Sequence, residues 1–160
     1  MSEITKQNDF FLQQAINLAI TSAEQQGGPF GAVVVRNGKV IGEGHNQVTE
    51  TLDPSAHAEI MAIRDACKNL NDYQLSDCTI YSSCEPCPMC MSAIYWARIP
   101  KLVYAATAVD AAKAGFDDQF IYDELTKPYS QRSIIIEHST HALSNKSFEE
   151  WLANNSRKEY

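Results

Sequence analysis

The sequence predicts one α/β domain spanning residues 1–160, in which a mixed central sheet carries helices on both faces. Two observations predict this fold class. Two β-branched runs flank Asn37-Gly38, the dipeptide most typical of a tight β-hairpin, so the sheet contains an antiparallel pair. Further along, residues 78–106 form a strand, a helix and a strand, which together are long enough for a parallel crossover.

The first half of the chain supplies a helix, the hairpin and a second helix. Residues 9–24 place apolar side chains at helical spacing until a Gly-Gly-Pro break ends the pattern. The hairpin follows over residues 30–44. Residues 53–70 again carry one apolar face, which predicts a second helix with His57 and Glu59 in its first turn.

The second half alternates strands and helices. The segments "CTIYSSC" at 78–84 and "KLVYAA" at 101–106 are strand patterns, and the helix between them spans 88–99. A region of loop and helix comes next. The segment "SIIIEHS" at 133–139 then fits a last strand, and residues 147–156 fit a short final helix.

Composition limits the function classes. Of the 160 residues 44% are hydrophobic, and the formal net charge is −7, with no run of Lys or Arg to bind a nucleic acid backbone. The amino-terminal segment has neither a signal-peptide core nor a membrane-length apolar run, so we expect a cytoplasmic protein without a membrane partner. Five cysteines, three of them clustered, favour a metal or catalytic site over disulfides in a reducing compartment.

Three of the cysteines lie within "SCEPCPMC" at residues 83–90. Structural zinc sites usually have four protein ligands, whereas three ligands and an open position are typical of catalytic zinc. Here one cysteine cluster and an upstream histidine, His57, supply three protein ligands. The neighbouring prolines favour Cys87 and Cys90 as the pair, because proline starts helices and both sulfurs then lie in one turn. Cys84 would lie back at the strand end as a structural thiol.

Glu59 follows His57 by two positions. Side chains two apart on a helix point roughly 200° apart around its axis, so Glu59 is not expected to share a metal with His57. It is left free to carry protons. Together, "HAE" and "PCPMC" reproduce the His-x-Glu and Pro-Cys-x-x-Cys signature of the zinc nucleobase deaminases.

The likeness extends along nearly the whole chain. With "GGPFGAVVV", "DPSAHAEIMAIRDAC", "YSSCEPCPMCMSAIYWARI", "DAAKAGFDDQFIYDE" and the terminal "KEY", the sequence resembles the bacterial guanine deaminases of the cytidine and nucleobase deaminase superfamily. This resemblance implies a three-layer α/β/α fold, one Zn²⁺ per subunit and hydrolysis of guanine to xanthine and ammonia. Hydroxide generated at the zinc would attack C2, and Glu59 would shuttle the protons. The resemblance also implies a homodimer that exchanges residues 147–160.

By the same resemblance, Phe30, Asn46, Asp118 and Tyr160 contact the purine base. The residues alone favour a core position for Phe30 and a solvated loop for Asp118, and they are compatible with Asn46 as the end of a strand. A polar tail ending at Tyr160 is compatible with a disordered end. These alternatives stay open.

Three other functions remain possible from the sequence. The tRNA adenosine deaminases share both motifs, although an acidic chain has little with which to bind a phosphate backbone. Cytosine or a triazine is a possible free base, because the zinc machinery does not itself select the ring. A structural zinc or interaction module predicts a fourth protein ligand and no need for Glu59.

Overall fold

A mixed four-stranded sheet lies at the centre of the computed structural model, which describes residues 3–160. Its strands in chain order are β1 (Gly31–Arg36), β2 (Lys39–His45), β3 (Cys78–Cys84) and β4 (Lys101–Ala106). They are arranged in the order β2-β1-β3-β4. Strand β1 pairs antiparallel with both β2 and β3, whereas β3 and β4 are parallel. The predicted hairpin, crossover and mixed sheet are therefore confirmed.

The helices belong to two compact units of the chain. The unit that ends at Asp118 contains α1 (Glu3–Glu24), α2 (Val48–Thr51), α3 (Ala58–Leu70), α4 (Pro88–Trp96) and α5 (Ala108–Lys113). The unit Gln119–Tyr160 contains α6 (Gln119–Thr126), a 3-10 turn (Tyr129–Gln131) and α7 (Lys146–Ala153). Within residues 3–160, no helix has the length and apolar character needed to cross a membrane.

Side chains of β1 alternate between two helical layers, as the period of a strand requires. The core cluster between α1 and the sheet contains Phe11, Val33, Val35 and Tyr81. The cluster on the opposite face, beneath α3 and α4, contains Ala32, Val34, Ala62, Ile80 and Ile94. The predicted placement of helices on both faces of the sheet is confirmed.

Two glycines allow α3 to lie directly against β2. A Cβ atom at Gly44 would approach the carbonyl oxygen of Ala58 to 2.4 Å, and one at Gly42 would approach the backbone nitrogen of Ala66 to 2.4 Å. Backbone atoms on a packed helix cannot move aside, so any side chain at these positions would displace α3. This contact fixes the amino-terminal end of α3, which carries Glu59.

Two helix starts differ from the prediction. Helix α1 begins at Glu3 rather than at residue 9, because residues 3–8 are mostly polar and contribute no apolar period. Helix α3 begins at Ala58 rather than at residue 53. The backbone N–H and hydroxyl of Ser55 both donate to Oδ1 of Asp53, at 2.8 and 2.7 Å, and this local turn takes the place of helix.

The predicted strand at 133–139 is wrong, because these residues are irregular and pair with no strand of the described chain. Three consecutive isoleucines favour extended backbone, but a strand also needs a neighbour for its N–H and C=O groups. Ile135 is 87% exposed. The segment therefore has the apolar composition of a strand but, among the described residues, no neighbouring strand with which to form hydrogen bonds.

None of residues 119–160, all of which the structure describes, is buried. Their exposed large apolar side chains include Phe120, Leu125, Tyr129, Ile134, Ile135, Leu143, Phe148 and Leu152. Exposed apolar surface of this extent is typical of an interaction surface rather than of the solvent-facing surface of a monomeric protein.

Candidate active site

His57, Cys87 and Cys90 bring their ligand atoms together at one end of the sheet. These atoms all lie within 4.8 Å of one another. Nδ1 of His57 is 3.6 Å from the Sγ atoms of both Cys87 and Cys90. No other residue of the described chain joins the cluster.

Helix starts position all three side chains. His57 is the N-cap of α3 and Cys87 is the N-cap of α4, both with extended backbone, and Pro88 opens α4. Cys90 follows in the first turn of α4 and is fully buried. Both cysteines thus lie in one turn, as the prolines predict.

The electrostatics favour one thiolate in the cluster. Hydrogen bonds from Cys90 and His57 lower the pKa of Cys87 to about 4, against the effect of burial. The shared hydrogen bond with Cys87, together with burial, raises the pKa of Cys90. The hydrogen bond with Cys87 also raises the pKa of His57. A cation at this position would meet one sulfur ligand, Cys87, that already favours negative charge, and it would replace the proton on Cys90.

The cluster fits Zn²⁺ in both chemistry and spacing. Thiolate sulfur and imidazole nitrogen are the ligands that zinc prefers, and the usual Zn–S and Zn–N bond lengths place two tetrahedral ligands about 3.6 Å apart. The two measured sulfur–nitrogen distances are 3.6 Å. Three protein ligands leave a fourth position for a reactant, as in catalytic sites.

Cys84 lies outside the cluster, as predicted from the prolines. Its Sγ donates to the carbonyl oxygen of Thr107 at 3.6 Å, and burial raises the pKa of its thiol. Cys78 belongs to the hydrophobic core cluster beneath α3 and α4, and Cys67 packs against it.

Glu59 is a buried carboxyl group beside the cysteine cluster. Its side chain is 5% exposed, and Oε1 accepts a hydrogen bond of 2.9 Å from the hydroxyl of Ser82 on β3. Burial raises the pKa of Glu59, and the bonds from Ser82 and Cys90 act in the opposite direction. An environment of this kind is typical of a general acid and base rather than of a surface carboxylate.

Three of the four residues expected to contact the base lie in the same unit. Phe30 is half-buried and packs edge-on against Phe116, with ring centroids 4.9 Å apart. Asn46 is 8% exposed, and its Oδ1 accepts from the N–H of Val48 at 3.3 Å. Burial and the charge of Cys87 raise the pKa of Asp118. The negative charge of Asp118 in turn contributes to the raised pKa of His57.

Tyr160, the fourth expected contact, ends the unit Gln119–Tyr160 and is 72% exposed. Its contact with a base stays a prediction, as do the roles of Phe30, Asn46 and Asp118.

Sequence reasoning missed three buried serines around this site. Ser82 binds Glu59, Ser83 accepts from the N–H of Gly31 at 3.0 Å, and Ser22 binds the loop that precedes Phe30. Two adjacent serines in a strand flanked by apolar residues were the available signal, since buried hydroxyls need partners.

An apolar groove of about 670 Å³ opens beside Phe30. It is lined by α1, α5 and the end of β4, including Ile16, Ile20, Ala105, Ala111 and Phe116.

Comparisons with known proteins agree with this geometry. The family model for the cytidine and deoxycytidylate deaminase zinc-binding region matches residues 5–106, a range that includes the sheet and the His57, Cys87 and Cys90 cluster. A guanine deaminase from Bacillus subtilis is 51% identical over 154 residues, which cover 96% of this chain and 99% of that protein. A tRNA-specific adenosine deaminase from Aquifex aeolicus is 40% identical over 119 residues, or 74% of this chain and 78% of that protein.

A solved structure extends the likeness to three dimensions. The X-ray structure of guanine deaminase from Bacillus subtilis matches with a TM-score of 0.92 at 50% identity, covering 100% of this chain and 99% of that one.

Proposed function

The chain belongs to the cytidine and deoxycytidylate deaminase family, and from this membership we propose that it is a zinc-dependent guanine deaminase. It hydrolyses guanine to xanthine and ammonia. The observation that carries this assignment is the extent of the likeness: 51% identity to a guanine deaminase over 96% of the chain, residues beyond 118 included. The likeness to the tRNA enzyme from Aquifex aeolicus covers 74% of the chain.

His57, Cys87 and Cys90 hold one zinc ion per subunit. When bound there, zinc supplies Lewis acidity that brings the pKa of water down to about 7, so that the nucleophile forms at neutral pH. Two thiolates and a neutral imidazole balance the charge of Zn²⁺, which suits an uncharged purine.

Glu59 moves the protons of the reaction. As a carboxylate it takes a proton from the attacking water and delivers it to ring N3 of guanine while the oxygen bonds to C2. It then carries the second proton of the water to the amino group at C2, which leaves as ammonia. Ser82 binds Oε1 of Glu59 and so orients the carboxyl group that transfers the protons.

Phe30, Asn46 and Asp118 bind and orient the base. Phe30, braced by Phe116, offers an aromatic ring for stacking. The carboxamide of Asn46 donates a hydrogen bond to the edge of the purine ring and accepts another from it. The carboxylate of Asp118 accepts hydrogen bonds from an N–H group of the base and from the departing ammonia. The buried position of Asn46 and the location of Asp118, near enough to Cys87 and His57 for their charges to interact, support these roles.

The active enzyme is a homodimer that exchanges residues 147–160, so that Tyr160 of one subunit covers the base bound in the other. Two observations support this assembly. Residues 119–160 bury no side chain, and their exposed apolar side chains need a partner surface. The apolar groove beside Phe30 offers a surface of matching chemistry. On this proposal residues 1–160 still form one functional domain.

None of the five cysteines, all of which lie in the described part of the chain, forms a disulfide, which suits a reducing compartment, and we place the enzyme in the cytoplasm. The formal charge of −7 opposes a tRNA substrate.

A substrate panel tests the proposal. Zinc-loaded protein is incubated with guanine, adenine, cytosine, cytidine and a tRNA substrate, and ammonia release and inosine formation are measured. Guanine should be hydrolysed far faster than the others, because a wrong base leaves buried polar groups unpaired, which costs several kcal/mol. Efficient inosine formation in tRNA would overturn the assignment.

A further inference from the structure

We propose that Ser22 on α1 is a positioning residue for substrate binding, which acts by holding Asn46 in place. This inference rests on the proposed function, because Asn46 is the residue proposed to form hydrogen bonds with the edge of the purine ring.

Ser22 connects α1 to two separate segments. Its side chain is 2% exposed, and Oγ donates to the carbonyl oxygen of Gly28 at 2.8 Å. The same Oγ lies 3.3 Å from the carbonyl oxygen of Asn46. The backbone carbonyl of Ser22 also accepts from the N–H of Gly27 at 2.8 Å. One serine therefore ties the end of α1 to the turn before Phe30 and to the backbone of Asn46.

The turn held by Ser22 packs directly against the Asn46 carboxamide. A Cβ atom at Gly28 would lie 2.8 Å from Cγ of Asn46 and 3.0 Å from its Oδ1. The side chain of Asn46 thus rests on the bare Cα of Gly28. Any shift of this turn toward or away from β2 changes the space available to the carboxamide.

Backbone hydrogen bonds close the network. The N–H of Asn46 donates to the carbonyl oxygen of Phe30 at 3.1 Å, and the N–H of Phe30 donates to that of Gly28 at 2.8 Å. Oδ1 of Asn46 accepts from the N–H of Val48 at 3.3 Å and keeps a second lone pair for a ligand. The carboxamide is therefore fixed from both sides before a ligand arrives, and such preorganisation strengthens binding.

Ser22→Ala tests the inference, with Tyr81→Phe as the matched control. The hydroxyl of Tyr81 donates to Oδ1 of Asn8 at 3.1 Å, so the control removes a hydroxyl that ties the opposite end of α1 to the sheet. Loss of the Ser22 hydroxyl should raise KM for guanine about three- to tenfold, the effect of one hydrogen bond, with kcat and zinc content nearly unchanged. Tyr81→Phe should leave KM unchanged at a similar melting temperature.

A double-mutant cycle separates positioning from general destabilisation. In an Asn46→Ala background, Ser22→Ala should lower kcat/KM no further, because the residue that it positions is gone. Full additivity of the two changes, or an equal rise of KM in Tyr81→Phe, would overturn the inference.

Gly28→Ala provides a second test if Ser22→Ala folds poorly. The added methyl group meets the Asn46 carboxamide and should raise KM in the wild-type background but not in Asn46→Ala. A KM unchanged from wild type in Gly28→Ala would contradict the proposed packing. Absence of guanine turnover in the wild type would instead refute the proposed function, so the two failures are distinguishable.

Discussion

Ser82 donates a hydrogen bond of 2.9 Å to Oε1 of Glu59, and both side chains are nearly inaccessible to solvent. The bond joins β3 of the central sheet to α3 at Glu59, the expected proton carrier. A carboxylate with one fixed oxygen keeps its orientation while the other oxygen exchanges protons.

Removal of this bond should slow the chemical step. We expect Ser82→Ala to lower kcat about tenfold, since a hydrogen bond to a charged group contributes roughly 1.5–3 kcal/mol, part of which the site recovers by relaxation. KM should change little, because Ser82 bonds to Glu59 and is not among the residues proposed to contact the base. Ser82→Thr keeps the hydroxyl and should restore kcat. Equal kcat values in Ser82→Ala and wild type would exclude the positioning role.

Metal analysis can distinguish the proposed zinc ligands from the neighbouring thiol. Cys87→Ala and Cys90→Ala should lose bound zinc, because each leaves two protein ligands. Cys84→Ala is the matched control, since Cys84 is a buried cysteine bonded to Thr107 outside the cluster, and it should keep one zinc per chain. Full zinc content in Cys87→Ala, with loss in Cys84→Ala, would identify a different ligand pair.

If Tyr160 covers the base as proposed, deletion of residues 156–160 should leave zinc content and secondary structure intact but lower guanine turnover on the order of tenfold or more, because the base would lose its cover and one contact. Undiminished activity of the truncated protein would remove the tail from the mechanism.

Complementation decides which subunit the tail serves. Truncated chains mixed with full-length Glu59→Gln chains should regain activity, because a hybrid dimer pairs one intact Glu59 with one intact tail. Lack of rescue in demonstrated hybrid dimers would mean that the tail closes its own subunit.

Local patterns were sufficient to predict most of the fold. The strands at 78–84 and 101–106 have the predicted bounds, and positive φ angles at Asn37 and Gly38 form the expected turn. The segment 133–139 misled the prediction, because its isoleucines express a preference for extended backbone that only a neighbouring strand can satisfy.

Some residues of the candidate site could be predicted from the sequence and others could not. The motif places His57, Cys87 and Cys90 together because each lies at or near a helix start. The adjacent serines in β3 are a signal for a buried hydroxyl, but the sequence does not identify the partners of Ser82 and Ser22. These partners lie 23 and 24 residues away, or across a turn, and no motif records the pairing.

The rate of xanthine formation by zinc-loaded Glu59→Gln tests the central claim most directly. The amide preserves the shape of the side chain and removes its capacity to carry protons, so turnover of guanine should fall a hundredfold or more by the usual contribution of general acid–base catalysis, while zinc content and fold remain as in the wild type. Turnover equal to the wild type, in a variant shown to hold one zinc per chain, would contradict the account.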